Sequence, residues 1–274
     1  MGTIQSTFTN FRYLRPIWKK NAEEERLLGV SMTGIYDHEV LSGQMSLRDN
    51  DPEDLLNELK QHVIETNAAW AEKLGINPSL ATTTVKPAGT TSSLSNTASG
   101  IHPRHSEYYI RTVRQDNKDP LTQFLKDAGV PWEPCVMRPE STTVFSFPIK
   151  SPDGALTRKD ITAIDHLNLW MTYNKHWTEH QVSVTVNVKE HEWVSVAGWV
   201  YDNFDDITGI SFLPYDTGTY KQAPFQECSK EEYEALLGQM PSVIDWSILS
   251  DYEKEDATTG VRELACAGGS CEIT

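Results

Sequence analysis

Ala81-Thr-Thr-Thr-Val-Lys-Pro-Ala-Gly-Thr-Thr-Ser-Ser-Leu-Ser-Asn-Thr-Ala-Ser-Gly-Ile-His-Pro103 changes character three times along its length. The β-branched run Thr82 to Val85 predicts a buried strand, which Pro87 ends because proline has no N–H to continue a ladder. Ala88 and Gly89 then permit a tight turn. Thr90, Thr91 and Ser92 fall where a helix would begin, with its free amides pointing forward. An N-terminus entered through glycine and ringed by hydroxyls suits an anion such as phosphate. The segment is not a Walker A loop, which needs Gly-x4-Gly-Lys-Ser/Thr. The plainer alternative is an ordinary strand–turn–helix junction capped by Thr or Ser.

Outward from this stretch, 274 residues bury a substantial core, and they fit one large α/β domain or two small ones. The chain is 38% hydrophobic with 8 Trp, a globular composition. A formal charge of −15, with no basic run to offset it, argues against binding a nucleic-acid polymer. A nucleotide would have to be held by local amides and a few cations. No apolar run approaches ~18 residues, so no membrane helix is expected. No signal peptide is read at the N-terminus. Four cysteines in a chain of this size point to a reducing compartment, and the expected location is the cytoplasm. Met1-Gly-Thr-Ile-Gln-Ser6 fits a myristoylation pattern, but nothing basic follows closely to reinforce it. The opening, with Ile4, Phe8, Phe11, Tyr13, Leu14, Ile17 and Trp18 in close succession, reads as a chain entering in mid-domain.

In chain order, 21–28 reads as helix stopped by Gly29, and Val30 to Ile35 as a short buried strand. The longest helix opens with Asp51 as N-cap and Pro52 at its first position. Leu55, Leu59, Val63, Trp70 and Leu74 form its expected core stripe, and Gly75 its stop. Strands are expected at 108–114, 142–148, 181–188 and 207–213, with Pro148 marking a strand end or an edge. Helices are expected at 119–129, 157–178, 190–203 and 229–240. Alternating strands and helices indicate an α/β protein with a barrel or an open sheet. The Gly-rich final residues read as a mobile tail.

Three constellations are candidates for chemistry. Cys266-Ala-Gly-Gly-Ser-Cys271 places two thiols where a flexible linker lets them meet, which suits thiol–disulfide exchange. Half of a zinc site, or two idle thiols, are the alternatives. Cys135 and Cys228 stand alone and read as structural. His176-Trp-Thr-Glu-His180 matches the H-x-x-E-H zinc pattern, although the helix is expected to end there. Arg104, Arg111 and Arg114 follow the central stretch and suit phosphate, with salt bridges to acids such as Glu107 and Asp116 as the alternative.

Lys86-Pro-Ala-Gly-Thr-Thr-Ser, Ser99-Gly-Ile-His-Pro103, Tyr108-Tyr-Ile-Arg-Thr-Val-Arg114, Gly209-Ile-Ser-Phe-Leu-Pro-Tyr215 and Cys266-x4-Cys271 occur in this order, and Leu27-Leu-Gly-Val-Ser-Met-Thr-Gly34 precedes them. Together they resemble the C-terminal part of class II ribonucleotide reductase, the adenosylcobalamin-dependent ribonucleoside-triphosphate reductase. The resemblance implies that 1–255 is the C-terminal half of a ten-stranded α/β barrel built from two parallel five-stranded halves, and that 256–274 is a mobile redox tail. It implies that Lys86, Pro87, Ala88, Gly89, Thr90, Thr91, Ser92 and Ser93 hold the phosphates of a ribonucleoside triphosphate. It makes Cys266 and Cys271 the dithiol shuttle, re-reduced by thioredoxin. It implies adenosylcobalamin as cofactor, with contacts within 100–161, including His102 and Pro103, and within 220–259. In that family a thiyl radical on a finger-loop cysteine takes the ribose 3′-hydrogen, and the 2′-hydroxyl leaves as water.

The chain departs from that family in two respects. Neither Cys135 nor Cys228 has the Asn-x-Cys-x-Glu surroundings of the radical site, and the effector-binding region is absent as well. The expectation is a half-reductase from a split or intein-interrupted gene, which needs an N-terminal half and is inactive alone. An inactive remnant that binds nucleotide or thioredoxin is the competing class, and a zinc hydrolase a third.

Overall fold

The computed structural model describes residues 1–44, 52–215 and 221–254. Their elements run α1 (Gly2–Gln5), α2 (Pro16–Glu25), β1 (Val30–Ser31), α3 (Pro52–Leu74), β2 (Thr83–Thr84), α4 (Thr91–Ser95), β3 (Tyr108–Asp116), α5 (Pro120–Asp127), β4 (Trp132–Pro134) and β5 (Thr142–Lys150). They continue through α6 (Ala163–His176), β6 (Thr185–Val188), α7 (Trp193–Asp202), β7 (Ser211–Pro214), β8 (Phe225–Glu227), α8 (Lys230–Leu237) and α9 (Leu249–Tyr252). Within the span read as one barrel portion, the structure distinguishes two compact units: Met1–Arg104 with Arg158–Tyr215, and a second that begins with His105–Thr157. The N-cap Asp51, Cys266, Cys271 and the whole 256–274 tail lie outside the described residues.

In the first unit, β1 pairs with β2 in parallel, and β6 with β7 in parallel. An isolated parallel bridge, Val85 to Val182, joins the two pairs side by side. The strands are short, and side chains complete what their ladders leave open. The Trp177 indole donates to the Thr84 carbonyl (2.8 Å) and the Trp170 indole to Val182 (3.0 Å). The Thr83 hydroxyl donates to the Trp177 carbonyl (2.7 Å). Buried backbone groups must be paired somewhere, so threonines and tryptophans are a physical requirement here. Helix α6 covers this layer with Leu167, Trp170 and Tyr173 fully buried. It starts at Ala163, later than expected, because Thr162 and Asp165 form a reciprocal capping box.

Three elements in this unit depart from expectation. Helix α2 begins at Pro16, whose φ suits a first helical position, and ends at Arg26 in the left-handed region (φ 49°) ahead of Gly29. Strand β1 is two residues long and exposed, since the chain turns into a 3-10 turn at Ile35. Helix α3 lies where the sequence put it, but its stripe is rotated. Leu56, Asn67 and Ala71 face inward, whereas Leu59, Trp70 and Leu74 are exposed. Asn67 is inward because it donates to the Thr3 hydroxyl (3.1 Å) and accepts from the Ser79 amide (2.8 Å). Amphipathic periodicity does not register a polar anchor of this kind.

The second unit is an antiparallel sheet in the order β4-β5-β3-β8. Strands β3 and β5 pair along nine positions, from Tyr108 opposite Lys150 to Asp116 opposite Thr142. Strand β5 runs two residues past Pro148, which sits opposite Ile110 where β4 no longer pairs on the other side. There it costs no second ladder bond. Asp119 caps α5 through the Leu121 amide (2.9 Å), and Ser229 caps α8 through a capping box. Phe124, Val130, Val144 and Phe145 make the core. An all-parallel barrel half does not describe these residues: the described fold is mixed α/β, with parallel pairing in one unit and antiparallel in the other.

Candidate functional site

The Lys86–Ser93 segment leaves the sheet where β2 stops. Thr82, Thr83, Thr84 and Val85 are buried, whereas Lys86, Pro87, Thr90, Thr91 and Ser93 are exposed. The Ser92 amide donates to the Ala88 carbonyl (2.9 Å) and closes the turn. The following helix is only five residues long, so the dipole expected of a helix N-terminus is weak here. The hydroxyls of Ser92 and Ser93 donate back to the carbonyls of Ala88 and Gly89. The Lys86 ammonium donates to the Ser183 hydroxyl (2.8 Å). What the loop presents outward is therefore one ammonium and the hydroxyls of Thr90 and Thr91.

Residues 96–104 form a strap behind the loop. The Ser99 hydroxyl accepts from the Ala88 amide (2.9 Å). Gly100 has φ +55°, and a Cβ there would stand 2.8 Å from the Lys86 carbonyl oxygen, so only glycine permits this approach. The strap is tied down by Asp37, whose carboxylate accepts from the Ala98 amide (2.6 Å) and from Arg104 Nε and Nη2 (3.0 Å each). Arg104 also donates to the side chain and carbonyl of Asn96. Arg104 is 5% exposed and all three of its guanidinium nitrogens are bonded to Asp37 or Asn96, so it is a structural cation and not a phosphate grip. Arg111 and Arg114 belong to the second unit: Arg111 lies over the Phe225 ring at 4.4 Å, and Arg114 donates to the Gln222 carbonyl (2.9 Å). The salt-bridge alternative was right in kind for Arg104, but Asp37 supplies the acid.

His102 spends both ring nitrogens inside the chain. Nδ1 meets the Ser99 carbonyl (3.0 Å), and Nε2 meets the Thr185 amide (3.0 Å). Both ring nitrogens are thus engaged within the chain, and neither is free to ligate a metal. His166 packs edge-on against it at 5.9 Å and donates from Nε2 to the Ile101 carbonyl (2.9 Å). Burial holds both rings neutral: it lowers the His102 pKa against the weaker opposing effect of Ser99, and takes His166 down to about 3 with help from His102. Burial also raises the phenols of Tyr36 and Tyr173.

The H-x-x-E-H residues do not converge. His176 bonds Asn57 (3.1 Å) and faces Glu53 (3.4 Å), His180 points at the carbonyls of Leu28 (2.8 Å) and Ala81 (3.2 Å), and Glu179 accepts from the Thr82 amide and hydroxyl (2.7 Å each). Each of these three side chains is spent on its own partners, and among the described residues no three His, Cys, Asp or Glu side chains gather as a metal site. Cys135 is buried, and burial with Glu232 and Glu227 raises the Cys228 thiol, the opposite of what a reactive thiol needs. Among the described residues, no helix is long and apolar enough to cross a membrane.

The strap's role behind the loop escaped the sequence reading, although the spacing of Ser99, Gly100 and His102 was its visible trace. With the geometry in place, the relatives are informative. The chain is 28% identical over 99% of its length to an adenosylcobalamin-dependent ribonucleoside-triphosphate reductase of Lactobacillus gasseri. It is 30% identical over 97% to that of Lacticaseibacillus paracasei, and 30% over 84% to that of Euglena gracilis. It spans 39%, 39% and 32% of those proteins' lengths. A crystal structure of a B12-dependent class II ribonucleotide reductase shares the fold, with a TM-score of 0.71 at 22% identity, over 88% of this chain and 37% of the other. No family model matches. The chain is thus a relative, along nearly its whole length, of a part of the adenosylcobalamin-dependent ribonucleoside-triphosphate reductases, as its motifs suggested.

Proposed function

We propose that this chain is part of an adenosylcobalamin-dependent reductase that converts ribonucleoside triphosphates to 2′-deoxyribonucleotides. The observation that carries this reading is the similarity to such enzymes over 97–99% of the chain, with the loop and strap motifs inside the matched span. Adenosylcobalamin, when bound, supplies the radical that starts the reaction. The part assigned to this chain is narrower. Lys86, Thr90 and Thr91 meet the triphosphate at the mouth of the Lys86–Ser93 loop, where one cation and two hydroxyls stand exposed. Cys266 and Cys271 pass two electrons and two protons to the active-site disulfide that forms when the substrate's 2′-hydroxyl leaves as water, and become a disulfide themselves. Thioredoxin or another dithiol restores the pair.

The radical cysteine is assigned to an N-terminal half, with which the parallel strands of the first unit would complete the barrel. Phe8 (74% exposed), Tyr13 (97%) and Trp18 (55%) support such a partner, because aromatic side chains left in water so close together are a cost that a docked surface removes. The test is deoxynucleotide formation from CTP and ATP with adenosylcobalamin and a dithiol, using the chain alone and then with the upstream half. Product only in the mixture supports the reading. Full turnover by the isolated chain would refute the division of labour. Nucleotide binding without turnover in either sample would favour an inactive binding remnant. In an active mixture, Cys271→Ser should abolish thioredoxin-driven turnover and leave nucleotide binding intact.

A further inference from the structure

We infer that His102 is the positioning residue of the phosphate loop, holding the Ala88 amide in place through Ser99; this rests on the loop reading proposed above. Strand β2 stops serving as a ladder partner at Val85, which accepts from the Ser183 amide (2.9 Å). Lys86-Pro87 then turns away, and the Thr185 amide has no strand carbonyl to meet. His102 Nε2 takes that place at 3.0 Å. An amide N–H can only donate, so Nε2 must be the bare nitrogen and Nδ1 must carry the proton. Nδ1 therefore donates to the Ser99 carbonyl (3.0 Å), and this orients a residue whose hydroxyl accepts from the Ala88 amide (2.9 Å). The connection runs from β6 through the imidazole and Ser99 into the turn. Gly100, pressed against the Lys86 carbonyl, keeps the strap from sliding along it. The neutral tautomer is the only one that makes both bonds, and burial of the ring favours it.

A histidine serving only to fill the core would leave Ala88 indifferent to its chemistry. Two variants of the full 274-residue chain separate the cases. His102→Gln can present an acceptor to Thr185 but cannot also donate to Ser99. His102→Asn can donate to Ser99 from the Nδ1 position but cannot reach Thr185. Amide hydrogen exchange by NMR should show Ala88 exchanging about tenfold faster in the Gln variant and near the wild-type rate in the Asn variant, with Thr185 behaving in the opposite sense. Equal Ala88 exchange in wild type and a folded Gln variant would overturn the inference. Should the Gln variant fail to fold, Ser99→Ala removes only the hydroxyl that Ala88 bonds and must give the same acceleration, or the inference fails. Titration with inorganic triphosphate separates the two layers of the proposal. Wild type that does not bind it refutes the phosphate reading, and Ala88 exchange still decides the positioning. Binding weakened about tenfold in the Gln variant and restored in the Asn variant supports both.

Discussion

The two units solve the same problem of buried backbone in different ways. In the second, β3 and β5 satisfy one another over nine paired positions, and side chains are left to pack. In the first, the paired stretches are two to four residues long, and indoles, hydroxyls and an imidazole do what a neighbouring strand would do. The antiparallel unit should therefore tolerate changes of side-chain chemistry that preserve volume, and the parallel one should not.

The largest effect expected from that difference is at Trp177, which is 2% exposed. Trp177→Ala should cost about 3–5 kcal/mol in urea unfolding, a value Phe145→Ala should match. The milder pair is more discriminating. Trp177→Phe strands the Thr84 carbonyl and should cost ~1–3 kcal/mol, whereas Phe145→Leu strands nothing and should cost less than about 1.5 kcal/mol. Equal costs for the mild pair would break the comparison.

Acid should act on the first unit next. His166 titrates near its ordinary 6.5 when unfolded and at about 3 when folded. Its contribution is intact above pH 6.5 and is lost as the pH falls from there toward 3, since only the unfolded chain takes up the proton. The slope approaches ~1.4 kcal/mol per pH unit for one proton, and burial of His102 adds in the same direction. Carboxylates titrate in the same range, so the informative quantity is the difference between wild type and His166→Gln from pH 7 to 4.5. Parallel pH curves for the two proteins would contradict the assignment.

Glycines give the smallest and sharpest contrast. Gly100→Ala meets the Lys86 carbonyl at 2.8 Å and should cost ~1–3 kcal/mol while displacing the loop. Gly129→Ala, also at positive φ (83°) but with open space around it, should cost only about 1 kcal/mol and leave the loop untouched. A thermal melt paired with triphosphate titration reads both quantities.

The same contrast explains how much was legible in the sequence. The alternation of Tyr108 to Arg114 and the β-branched run from Thr142 predict strands, and a long antiparallel ladder needs nothing else. The caps at Asp119 and Ser229 are equally local. Strands β4 and β8 were invisible because three residues carry no period. In the first unit the strand of Thr82 to Val85 and the turn after Pro87 were readable, because β-branching and proline act on their own residues. That Arg104 would be spent on Asp37, and His102 on Ser99 and Thr185, was not. The bonds to Asp37 and Thr185 span 67 and 83 positions, and composition says nothing about which distant group arrives.

Those separations also set an order of assembly. The loop lies early in the chain, but the groups that shape it include the Thr185 amide, so its conformation depends on contacts that cost loop-closure entropy and form late. A nascent chain that has emerged only through Ser183 already contains every residue from Lys86 to Ser93. It does not yet contain the rung from which the strap hangs, and the turn takes its final shape only when β6 has been delivered.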